Sequence, residues 1–95
     1  MASRKEIKKD IRFLVEQVIG DALEVGIELE KEEDKKVVLD IIVDLVDTHN
    51  DLISRVNNPD GKDDKKIVKK HFNKIYDDLL TKTNDAYDRI NKLVV

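Results

Sequence analysis

Apolar residues return along this chain in steps of three and four. The first series is Ile7, Ile11, Leu14, Val18, Ala22, Val25 and Leu29. That spacing puts them on one side of an α-helix. Ser3-Arg4-Lys5-Glu6 precedes the series in capping-box form. The Ser3 hydroxyl can accept from the Glu6 N–H while the Glu6 side chain reaches back. A first helix is predicted over residues 3–30. It ends where Glu30–Asp34 becomes too polar and too like-charged to pack. Asp34 is the expected N-cap of a second helix. Its stripe is Val38, Ile42, Leu45, His49, Leu52 and Val56, widened by Val46 and Ile53.

Pro59 stops the second helix, because the residue before a proline avoids the α region. Asn58-Pro59-Asp60-Gly61 fits a type I turn, so the second helix spans 34–57. A third helix begins near Asp63 and runs to about residue 93. It carries Val68, Phe72, Ile75, Leu79, Thr83, Ala86, Ile90 and Leu93 on one side. At 1.5 Å per residue it reaches roughly 45–50 Å, against roughly 35–40 Å for the other two. Three amphipathic helices on short links predict a single all-α domain over 1–95, an antiparallel up-down-up three-helix bundle.

Composition agrees with helices. Of 95 residues only three are glycine and one is proline, and 41% are charged. Helical periodicity separates such a chain from a disordered one. The absence of cysteine excludes disulfides, thiolate metal sites and cysteine nucleophiles. No secretory h-region and no apolar run of the roughly 20 residues a membrane span needs is visible. The expectation is a soluble, cytoplasmic protein with no membrane contact.

Some apolar residues fall off the stripes. Ile19, Leu23 and Ile27 are spaced by four and lie nearly opposite the first helix's core side. Leu39 and Val43 fall to one side of the second helix's stripe. Scattered surface apolar residues are normal. An aligned set favours a second contact surface, most simply a homodimer interface.

Charge is unevenly spread. Residues 3–12 hold five cations against two acids, a net of +3, and residues 62–74 hold six against two, a net of +4. Residues 16–51 hold twelve acids against three lysines, a net of −9. In an up-down-up bundle both basic clusters share one pole with the end of the second helix. Lys5, Lys8, Lys9, Arg12, Arg55, Asn57, Lys62, Lys66, Lys69 and Lys70 are the candidates there for a nucleic acid or another anionic partner. Few aromatics, and lysine in excess of arginine, suit loose charge attraction better than base reading.

Chemistry is hard to find. No phosphate-binding glycine loop, dinucleotide fingerprint or nucleophile elbow is present. Asp40, Asp44, Asp47 and Asp51 form an acidic line opposite the second helix's core side. Carboxylates spread over three turns of one helix cannot converge on one ion, so a solvated face is expected. His49 is expected as a core polar residue bonded across the bundle to Tyr76, Thr83 or a carbonyl; a pH switch or ligand contact is the alternative. His71 is expected at the boundary of the third helix's stripe, and the Tyr76 and Tyr87 hydroxyls in water. No cofactor is called for, and a non-enzymatic role is expected.

The chain resembles a family of short, uncharacterised, all-helical bacterial proteins, chiefly Bacteroidetes-like. The resemblance lies in SRKEIKKDI at 3–11, HNDLISRVNNPDG at 49–61 and VKKHFNKIYDDLL at 68–80. It implies a small helical domain with no established activity, substrate or cofactor. The leading expectation is a helical protein–protein interaction module that self-associates, the runner-up an anion binder at the basic pole.

Overall fold

The computed structural model describes residues 3–58 and 64–94. It contains three helices, α1 (Arg4–Glu28), α2 (Glu32–Asn57) and α3 (Lys65–Leu93), each packed on the other two. The described residues contain no strand. The rod measures 53 × 18 × 17 Å. Its topology follows from side-chain pairs. Tyr76 bonds Asp10 and Tyr87 bonds Asp21, so α1 and α3 run parallel. His71 meets Arg55 and Arg89 meets Asp44, so α2 runs antiparallel to α3. This is the expected up-down-up bundle.

The helix ends follow local chemistry. Ser3 caps α1, its hydroxyl accepting from the Glu6 N–H at 3.2 Å. Asp64 caps α3, with Oδ1 accepting from the N–H groups of Lys66 at 2.9 Å and Ile67 at 3.4 Å. Asp34 is not the N-cap of α2. The helix starts two residues earlier, after Lys31, which makes no side-chain cap bond. Glu32, Glu33 and Asp34 fill its first turn instead. Negative charge there favours the helix dipole and substitutes for a cap. Asn58 leaves the helix and ends it, its backbone N–H and its side-chain amide both donating to the Ser54 carbonyl. The rest of the expected turn, Pro59 to Gly61, lies outside the described residues.

The core is formed by Ile7, Ile11, Val15, Val18 and Ala22 of α1, Val38, Ile41, Leu45, Leu52 and Val56 of α2, and Phe72, Ile75, Leu79, Ala86 and Ile90 of α3. Three positions correct the expected stripes. Val15 is buried while Leu14 only flanks the core, Ile41 is fully buried while Ile42 only flanks it, and Val46, expected to widen the second helix's stripe, is exposed. Val68 and Leu93, near the ends of α3, are half-buried. Thr83 is the buried polar residue of the described set, and its hydroxyl donates back to the Leu79 and Leu80 carbonyls. No buried side-chain polar atom among the described residues lacks a partner.

His49 does not join the core. It is half-buried, and its Nδ1 lies 3.1 Å from the Asn50 side-chain oxygen, while the Tyr76 and Thr83 hydroxyls donate to other groups. The buried line of α2 passes through Ile41, Leu45 and Leu52, which turns His49 toward the edge that meets α1.

Candidate interaction faces

Two edges of the bundle differ in how they use charge. The edges of α1 and α2 that face α3 are closed by polar pairs. Tyr76 donates to Asp10 at 2.7 Å and Tyr87 donates to Asp21 at 2.6 Å. Their hydroxyls are therefore not left to water. Burial and the Asp10 carboxylate push the Tyr76 phenol up to about 12. The Asp21 bond, with burial behind it, does the same for Tyr87. A carboxylate that accepts from the neutral phenol opposes a second negative charge beside it.

Between α2 and α3, Arg89 bonds Asp44 at 2.7 Å and Arg55 bonds Asp78 at 2.8 Å. Lys74 adds to Asp78 at 3.2 Å, and Asp51 lies 3.6 Å from Arg55. Burial works to raise the Asp78 carboxyl, but hydrogen bonds and charge from Arg55 and Lys74 outweigh it and hold it below the ordinary carboxylate range. The acidic line of α2 is thus not purely a solvated face, since Asp44 crosses to α3. No cluster of three or more metal-ligating side chains forms among the described residues. His71 also belongs to this seam. Its Nε2–H donates to the Arg55 carbonyl at 2.7 Å, which satisfies one of the last carbonyls of α2.

The opposite edges of α1 and α2 face each other away from α3. Gly26 marks how close they come, for a Cβ there would stand 3.2 Å from Val38 Cγ1. At 100° per residue, Ile19 and Leu23 of α1 and Leu39, Ile42 and Val46 of α2 lie on these edges, with Ile27 and Val43 just outside them. Leu23, Ile27, Leu39, Val43 and Val46 are exposed, Ile27 by 83%. Ile19 is the exception among the expected interface residues: it is half-buried and packs against the core. Phe13, also exposed, lies on the far side of α1.

At the N-terminal end of the same seam is a cavity of about 480 Å³, lined by Lys5, Lys8, Lys9 and Arg12 of α1 and by His49 and Ile53 of α2. None of these four cations has an ion-pair partner among the described residues.

The basic pole expected from the sequence therefore divides. The α1 cluster opens between α1 and α2. Lys70 of α3 opens between α2 and α3, in a second cavity of about 460 Å³ with Arg55, Asn58, Ile67, His71 and Lys74. There the charges of Arg55 and Lys74 are already engaged by Asp78. Lys66, Lys69 and Asn57 are exposed at this end and line neither cavity. Lys62 lies outside the described residues. A third cavity, about 520 Å³, lies further along α2 and α3, where Asp44, Asp47, Asp85 and Asp88 alternate with Lys82, Arg89 and Lys92.

Sequence spacing pointed to the exposed apolar residues but not to the Tyr–Asp pairs. Their signal was an equal interval: Asp10 to Asp21 and Tyr76 to Tyr87 are each eleven residues, about three turns. Parallel helices in the right register make both pairs together. No helix among the described residues is long and apolar enough to cross a membrane. No family model, curated protein or solved structure matches the chain.

Proposed function

We propose that this chain is a non-enzymatic interaction module that associates with a second copy of itself through the outer α1–α2 face. One observation carries the reading. Leu23, Leu39 and Val46 are exposed on adjoining edges of two packed helices, with Ile27 and Val43 exposed just outside them. Together they present on the order of 500 Å² of apolar surface, the size of the largest apolar patch on a typical monomer, which is often a functional one. With their flanking residues they approach the roughly 800 Å² per partner of a standard interface. A C2 pair needs one self-complementary patch, and a continuous apolar strip meets that requirement.

Sedimentation over a concentration series tests this. The wild-type chain is expected to shift from monomer to dimer. Leu23→Glu with Leu39→Glu is expected to stay monomeric with its helical circular dichroism intact. These two exposed positions suit the test better than Ile19, whose replacement also disturbs the core. A wild-type chain that stays monomeric up to millimolar concentration overturns the reading.

The cavity of four unpaired cations favours a second reading, an anion-binding pole. Retention on heparin that disappears at moderate salt supports it, and flow-through at low salt refutes it.

A further inference from the structure

We infer that the two copies pair antiparallel, so that each copy's basic cavity meets the acidic end of the other. This rests on the self-association proposed above and adds its direction. An isologous pair of rods has two choices. A two-fold axis along the rod gives a parallel pair, and an axis across it gives an antiparallel one.

Charge separates the two choices. Lys5, Lys8, Lys9 and Arg12 flank the apolar strip at one end and have no ion-pair partner among the described residues. The other end, residues 24–36, holds six acids against three lysines, a net of −3. Glu30 stands there in the link between α1 and α2, and Glu32 in the first turn of α2. Glu32 is held only at 3.7 Å by Lys35, through an exposed pair.

A parallel dimer sets four unpaired cations beside four more. Like charges juxtaposed across an interface are strongly disfavoured. An antiparallel dimer with its axis near Leu23 and Val43 overlays the apolar strips. It also brings Lys8, Lys9 and Arg12 of each copy to the acidic turn, residues 28–35, at the end of the other. The lysine stems and Ile53 offer an apolar floor, and the ammonium and guanidinium groups a rim for the partner's carboxylates.

The chain has no cysteine, so one introduced thiol is a unique label. A nitroxide at Glu6→Cys, an exposed position outside the cavity, reports the direction in the otherwise wild-type dimer. By helical rise, antiparallel copies separate the two labels by roughly 30 Å or more, and parallel copies bring them within roughly 20 Å. Charge exchange gives an independent readout. Lys8→Glu with Arg12→Glu is expected to weaken self-association at least tenfold. Mixing that variant with Glu30→Lys plus Glu32→Lys is expected to restore pairing, as a heterodimer. A dimer with close labels, or one that charge exchange does not rescue, overturns the antiparallel arrangement and leaves self-association standing. A wild-type chain that never associates removes both.

Discussion

Replacing Ile41 and Ile42 by alanine, one at a time, asks which way α2 is turned. Ile41 is fully buried, with no exposed surface, whereas Ile42 sits half-buried on the edge toward α1. Ile41→Ala removes three carbons, about 2.4 kcal/mol of transfer free energy at about 0.8 per methylene. The cavity left behind raises this to about 3–4 kcal/mol. Alanine's better helix propensity returns about 0.4 in either variant. At Ile42 only part of the side chain leaves contact, so the net cost is about 0.5–1 kcal/mol. A chain of this size has about 5–14 kcal/mol in total. The two variants therefore separate clearly.

Urea unfolding followed by circular dichroism at 222 nm reads the difference as a shift in midpoint at constant slope. Dimerisation stabilises by mass action, so both changes belong in the Leu23→Glu, Leu39→Glu background. In melting temperature, Ile41→Ala is expected to fall about 12–25 °C and Ile42→Ala less than about 8 °C. Equal losses, or a larger one for Ile42→Ala, would refute the orientation of α2. With it would go the placement of Leu39, Val43 and Val46 on the open side, because a turn of one residue rotates every side chain by about 100°.

Three further expectations follow from the charged seams and one glycine. The Tyr76 and Tyr87 phenols are pushed up to about 12 in the fold, so they stabilise it fully below about pH 10 and lose that contribution as pH rises toward 12. Tyr76→Phe with Tyr87→Phe is expected to lower stability by about 1–2 kcal/mol at pH 7 and to flatten the alkaline limb. The difference between wild type and variant across that window is the quantity to read. The lowered Asp78 carboxyl works in the other direction, stabilising above the unfolded carboxylate value near 4 and fading as pH drops below it. Arg55→Ala is expected to cost about 1 kcal/mol at pH 7 and to shrink the acid-induced loss in urea titrations. Gly20 has open space where a Cβ would sit, so Gly20→Ala is expected to raise stability by about 0.5–1 kcal/mol, measured by the same unfolding curves.

The sequence announced its breaks more clearly than its orientations. Ser3 with Glu6, the acid-rich link at 30–34 and Pro59 divide the chain into three helices, and a short link makes neighbours antiparallel. The angle of each helix was less legible. Leu14–Val15 and Ile41–Ile42 are adjacent apolar pairs, so a stripe drawn by threes and fours runs equally well through either member. Only contact with two other helices decides, because the core of a three-helix bundle lies between two neighbours. His49 carries the same ambiguity. It stands four after Leu45 and three before Leu52, which satisfies the spacing, yet it lies on the α1 side of the buried line. The candidate cations were legible as a pole. Their division between Arg55, neutralised at the α2–α3 seam, and the α1 cations, which have no ion-pair partner among the described residues, was not, since it depends on Asp78 reaching Arg55 from another helix.

That division is the reason to read the two sides of α2 differently. Toward α3, Arg55 and Arg89 pair with Asp44, Asp51 and Asp78 within the chain, and the tyrosines of α3 are bonded to α1. Toward the outer face of α1, cations without partners and apolar side chains without cover occur together. Either feature alone is ordinary, because surfaces carry single apolar residues and solvated lysines. Their coincidence on one seam is less so. An unpaired cation beside apolar surface gains most from a carboxylate that arrives with an apolar patch of its own, since burial of the patch lowers the dielectric around the pair. A second copy of this chain carries both, at a spacing set by the same helices. The salt response separates the contributions: screening weakens the charged ends, while the apolar centre holds or strengthens. Association that falls with added sodium chloride and then levels off, without vanishing, is the signature of both acting on one face.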